Sequence, residues 1–218
     1  AARPTDEYLI ISAHYDHMGA INGFVYNGAD DNASGVTALL NLSKMYAKMA
    51  ELGAGPAKNL VFVAFDAKER SMAGSQYFVD HLPIPKKKVV LNVNLDQIGS
   101  TLEPVHPASP DFIIVLGEHT LPHGTQRLTN TCNRLYQLDL DVNHSFYNSE
   151  NFTEIMYDLS DQAAFHKAKI PALLFTSGFT RHTYKTSDDV TFINFDMLRR
   201  RTLLVFYFVQ HFMQHKDY

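Results

Sequence analysis

Continuous apolar runs of five to seven residues recur along the chain, separated by longer stretches of mixed polarity. The runs Tyr8 to Ala13, Asn59 to Phe65, Val89 to Leu95, Phe112 to Leu116 and Ile170 to Phe175 have the pattern of strands buried on both faces. The stretches between them carry helical periodicity. From Ser34 to Ala50, residues Val36, Leu39, Leu40, Leu42 and Tyr46 form a broad apolar face, and Gly53 lies beyond the end. Further helices are predicted over Met72–His81, around Gln126–Gln137, over the short segment Asp161–Lys167, and from Asp196 to His215. The Gly- and Asn-rich segment before Ser34 reads as a loop, with Ser34 as the cap of the helix that follows. The polar stretch Asp139–Asp158 reads as an irregular loop on the side of the site. Strands alternating with helices predict an α/β fold: a three-layer α/β/α arrangement with a mostly parallel central sheet. In such sheets ligands bind outside the carboxyl ends of the strands.

Those ends are where the chemistry falls. The first run stops at His14-Tyr15-Asp16-His17, the second at Asp66-Ala67-Lys68-Glu69 and the third at Asp96. Imidazole nitrogen and carboxylate oxygens converging from several segments form the donor set that zinc prefers. His14, Asp16, Asp31, Glu69 and Asp96 are therefore candidate metal-site residues. Taken singly, a strand-terminal Asp caps the next helix and a lone His is a hydrogen-bonded structural residue. Taken together, with consecutive strands ending in such groups, they favour a metal site at the carboxyl edge.

Composition narrows the alternatives. With 19 Lys+Arg against 23 Asp+Glu in 218 residues, there is no basic footprint for nucleic acid, and Lys86-Lys87-Lys88 reads as a solvated strand entrance. The single cysteine, Cys132, has no partner for an internal disulfide or a cysteine-based zinc site. Leu203 to Val209 is far shorter than the roughly 20 apolar residues of a membrane helix. The opening Ala1-Ala2-Arg3-Pro4 is unlike a signal sequence. One domain over residues 1–218, with no membrane insertion and no nucleic-acid partner, is expected.

The motifs His14-Tyr15-Asp16-His17, Gly28-Ala29-Asp30-Asp31-Asn32-Ala33-Ser34-Gly35, Glu69 ahead of Gly74-Ser75, and Asn94-Leu95-Asp96 resemble those of the zinc-dependent aminopeptidase family that also holds glutamate carboxypeptidases and glutaminyl cyclases. Ser160-Asp161-Gln162 and Ile170-Pro171-Ala172 fit it too, and the resemblance covers about residues 7–209. It implies that His14, Asp31 and Asp96 hold one zinc ion. Asp31 would bridge to a second ion held by Glu69 and a late His, and Asp16 would fix the tautomer of His14 from behind. It further implies a peptide substrate cleaved at its amino terminus, an exported protein, and family elements ahead of Tyr8 that these 218 residues do not contain.

Two positions depart from the family pattern. Where the family places a Glu as general base, directly before the metal-binding Glu, this chain has Lys68, a register pinned by Gly74-Ser75. An amine that titrates near pH 10 accepts no proton at neutral pH unless its pKa is depressed. Neighbouring cations would depress it; alternatively, the ammonium repels the second ion and the site holds one or none. In the segment Ser177 to Asp188, counting back from Asp188 puts Tyr184 at the late-His position, with His182 two residues early. His182 and Tyr184 are therefore both candidates there. Two functions follow: a zinc metallo-aminopeptidase, with Lys68 or a loop carboxylate such as Glu150 or Glu154 taking the proton, or a silent relative that binds metal or peptide. Glutaminyl cyclase chemistry, with one zinc, needs the same missing carboxylate. His17, His81, His106, His119, His123, His144, His166, His211 and His215 match no ligand position in the pattern.

Overall fold

The computed structural model describes residues 6–101, 110–121 and 125–214. His106, His123 and His215 lie outside them. The predicted strands form as β1 (Tyr8–His14), β4 (Asn59–Phe65), β5 (Val89–Leu95), β6 (Phe112–Leu116) and β8 (Ala172–Thr176). The last begins after Pro171, which has no N–H to give a ladder but whose carbonyl accepts from the Asn92 amide at 2.9 Å. The helices are α1 (Gly35–Glu51), α2 (Ala73–Asp80), α3 (Thr125–Leu135), α5 (Gln162–Lys167) and α6 (Phe195–Gln214).

Two segments read as irregular are more ordered than expected. The loop before Ser34 contains an antiparallel hairpin, β2 (Gly19–Ile21) with β3 (Phe24–Tyr26). The stretch 139–158 contains β7 (Asp141–Asn143) and α4 (Glu150–Tyr157). Three-residue strands are too short for periodicity to reveal. For α4, the Ser149 hydroxyl caps the Phe152 amide, and Met156 and Tyr157 pack on Phe112, Ile114 and Leu116.

The main sheet has the order β4-β1-β5-β8-β6-β7. The first four strands run parallel, β6 is antiparallel to β8, and β7 follows β6. Alternation along each strand splits the core between its faces. Leu9, Ile11 and Ala13 meet Leu39 and Leu42 of α1 and Leu204, Val205 and Phe208 of α6. Ile10, Phe65 and Val89 face the other way, onto Phe165 of α5. This is the expected three-layer α/β/α architecture with a mostly parallel sheet. Its registers pair His14 with Phe65, Ser12 with Asn94 and Leu95 with Phe175. The carboxyl ends of four adjacent strands therefore open onto one edge, where both His14 and Asp96 lie.

Candidate metal centre

His14 closes β1 and Asp96 follows β5. The His14 Nε2 atom lies 3.4 Å from Asp96 Oδ1 and 3.3 Å from Asp31 Oδ1. All three residues are buried, and their donor atoms lie within 4.8 Å of one another. Asp31 arrives from the turn Gly28–Gly35, which is fastened on several sides. The Asp188 carboxylate accepts from the amides of Asp30 (2.8 Å) and Asp31 (3.0 Å). The Asn32 side chain donates to the Leu95 carbonyl and accepts from the Gly35 and Gln97 amides. Gly35 is required here, because a Cβ would stand 2.6 Å from the Leu95 carbonyl oxygen. Ser34 makes no side-chain cap. Its hydroxyl donates to the Asp30 carbonyl and accepts from the Ile98 amide, tying the turn to the end of β5.

This fastening leaves both buried carboxylate oxygens of Asp31 without a hydrogen-bond donor. A buried carboxylate so placed is costly unless a cation neutralises it. The imidazole and two carboxylates thus fit a zinc ion in donor type and burial, with His14 and the Lys68 ammonium as the cations beside Asp31. Burial opposes a charge on His14, but Asp96, Asp16 and Asp31 outweigh it and push its pKa up to about 12. Burial likewise opposes ionisation of Asp96, yet Lys68, His14 and the Ser160 hydroxyl hold its carboxyl below the usual range. The Ser160 hydroxyl donates to Asp96 Oδ2 at 2.5 Å and accepts from the Asn94 amide, which also donates to Gln162 Oε1. Asp96 is therefore anchored from the turn ahead of α5 as well as from β5.

Lys68 fills the space beside this trio. Its Nζ lies 3.3 Å from Glu69 Oε1, 3.6 Å from Asp31 Oδ1, 4.0 Å from Asp96 Oδ2 and 3.3 Å from the Tyr184 hydroxyl. Burial lowers its pKa, but Asp96, Asp31, Tyr184 and Glu69 together raise it above the ordinary lysine range. These contacts hold the side chain as an ammonium. The Asp16 carboxylate accepts from the Lys68 and Glu69 amides at 2.9 and 3.1 Å. What lies 3.0 Å from His14 Nδ1 is the main-chain oxygen of Asp16, with the carboxylate at 3.7 Å. Asp16 thus shapes the Lys68-Glu69 turn as well as backing the imidazole.

The structure separates the two candidates for the late position. Tyr184 stands against Lys68, its ring centroid 5.5 Å from Nζ. His182 is turned away: its Nδ1 lies 2.9 Å from the Ser187 hydroxyl and its ring stacks on Phe192 at 4.1 Å. Among the described residues, the imidazole grouped with Asp31 and Glu69 is that of His17, with donor atoms also within 4.8 Å. Glu150 and Glu154 are exposed on α4. Glu154 lines a cavity of about 520 Å³ with Glu118, His119, His144 and His166, toward the amino end of β8, away from the centre. Nothing in the sequence pattern marks Asp188 or His17 as part of the centre: Asp188 serves only to set the register of the segment 177–188, and His17 only neighbours His14.

The family model described as "Peptidase family M28" matches residues 1–209. Aminopeptidase YwaD of Bacillus subtilis is 31% identical over 98 residues, covering 44% of this chain and 19% of that protein. Leucine aminopeptidase 1 of Pyrenophora tritici-repentis is 26% identical over 216 residues, covering 93% of this chain and 52% of that protein. The solved structure of a zinc aminopeptidase from Bacillus subtilis superposes with a TM-score of 0.74 at 21% identity, over 98% of this chain and 49% of that one. The fold is thus shared, and the chain spans about half or less of the length of these relatives.

Proposed function

The chain belongs to peptidase family M28, and from that premise we propose that it holds zinc through His14, Asp31 and Asp96 and removes amino-terminal residues from peptides, slowly. The observation that carries this reading is the convergence of those three buried side chains on an Asp31 carboxylate without a hydrogen-bond donor. A zinc ion bound there supplies Lewis acidity toward a peptide carbonyl and lowers the pKa of water. Ser160 and Asn94 keep Asp96 fixed, and Asp188 keeps Asp31 fixed, so the donor geometry is preorganised by hydrogen bonds. Lys68 and Tyr184 act as donors, their polar atoms 3.3 Å apart, suited to a carbonyl or carboxylate oxygen of the peptide. With an ammonium at position 68, proton removal falls to bulk water, and the rate is correspondingly low.

A second reading, a module that binds metal and peptide without turnover, is favoured by one observation: the Lys68 ammonium sits among the carboxylates that a second ion would use. Assays of the zinc-loaded chain on unblocked and amino-terminally acetylated peptides distinguish the two. The proposal expects release from unblocked peptides alone, rising by about 10²- to 10⁴-fold in Lys68→Glu, the usual range for a restored general base. Release by the variant but not by the wild type selects the binding module. No release by either protein, with zinc bound, contradicts the peptidase reading and leaves the binding module standing.

A further inference from the structure

His17 is an orphan of unusual kind. Its side chain is only 8% exposed, both ring nitrogens are buried, and neither has a hydrogen-bond partner. A neutral imidazole carries one donor and one acceptor, so leaving both unmet is costly. The chain nevertheless builds a seat for this ring. Gly28, with φ of +66°, backs it so closely that a Cβ would stand 2.6 Å from His17 Cγ. On another side the Tyr184 ring lies parallel to it, 4° between planes at 6.4 Å. So held, Nδ1 lies 4.0 Å from Asp31 Oδ2, while His14 Nε2 and Lys68 Nζ crowd Oδ1. The third member, Glu69, is aimed by the Asp16 carboxylate through the amides of its own turn.

We infer that His17, Asp31 Oδ2 and Glu69 form the second cation position of this chain, with His17 supplying the imidazole in place of any residue of the segment 177–188. The inference rests on the first position proposed above and deepens it. Asp31 would serve one ion through each oxygen. Lys68 is the built-in competitor: its ammonium touches Glu69 Oε1 and Asp31 Oδ1, two of the carboxylates the ions require. The second ion therefore binds more weakly than the first, and the chain passes from one ion to two as the free metal concentration rises.

Titration of the metal-free chain with Zn²⁺ by calorimetry, and with Co²⁺ by visible absorption, tests this without reference to activity. The wild type is expected to take one tight equivalent and one weaker. His17→Gln should keep the first and weaken the second by on the order of 10- to 100-fold or more. His182→Ala should change neither. Lys68→Met should tighten the second by about tenfold or more, because a buried like charge is removed. Circular dichroism checks that each variant is folded, and His17→Asn serves where the Gln variant is not. One tight equivalent with no second at saturating metal overturns the inference and leaves the first position standing. Two equivalents retained in the folded His17 variants, or a second lost in His182→Ala, also overturn it. No bound ion at all contradicts the first position and this one together.

Discussion

The two halves of the centre are built differently. His14 and Asp96 ride on the ends of neighbouring parallel strands, their spacing set by a ladder that pairs Ser12 with Asn94. Asp31 is pinned to that ladder through Asn32 and the Leu95 carbonyl. Lys68, Glu69, His17 and Tyr184 instead come from turns after strands and from a long connection, where a side chain can change without moving the sheet. The residues that the family resemblance implies are intact in the strand-borne half, and both departures from that pattern fall in the loop-borne half. A rigid scaffold preserves what it positions, while loops are free to alter the chemistry beside it.

The contrast can be broken most severely at the residue both halves share. Asp31→Ala should abolish binding of zinc at low micromolar concentration altogether, since the first position loses one of three protein donors and the second loses its bridge; elemental analysis after dialysis reads this directly. Lys68→Met comes next. Removing one partner of a buried charge cluster costs about 3–5 kcal/mol, so chemical denaturation of the metal-free variant should show a loss of that order. Saturating zinc should then recover much of it, because the ion takes over the neutralisation of Asp31 and Asp96.

A smaller, pH-dependent effect is expected for Asp16→Asn. Burial opposes ionisation of Asp16, yet its contacts with His14 and the Lys68 and Glu69 amides hold its carboxyl at about 2, below the ordinary 3.8. A folded-state pKa below the unfolded one stabilises the fold above about pH 4, and the stabilisation is lost as pH falls through 2. The stability gap between wild type and Asp16→Asn in urea should thus be widest above pH 4 and close toward pH 2. The smallest effect belongs to His182→Ala: a hydrogen bond to Ser187 and a stack on Phe192 are worth about 1 kcal/mol, and first-ion affinity should not change.

The same division governs what could be read from the chain. Apolar runs located the five longest strands, because burial on both faces leaves a signal in every residue of the run, and the ends of β1 and β5 pointed to the strand-borne residues. Asp31 was legible through the family resemblance of the Gly-Ala-Asp-Asp-Asn-Ala-Ser-Gly turn, in which close backbone approach demands Gly35 and three hydrogen bonds employ the Asn32 side chain. The antiparallel direction of β6 was hidden, since its pairing with β8 depends on contacts some 60 residues apart in sequence. His17 was illegible for a related reason: its seat is made by Gly28 and Tyr184, and ring stacking across a loop leaves no periodic trace. Ser34 misled in the opposite direction, because a serine before a helix is ordinarily a cap, whereas here its hydroxyl is taken by Asp30 and Ile98.

The most direct test of the account is anomalous diffraction at the zinc edge from crystals of the chain grown with limiting zinc. The account predicts one peak, bounded by His14, Asp31 and Asp96, with the Lys68 ammonium still beside Glu69. A first peak at another set of residues, or an ion in contact with His182, would contradict it.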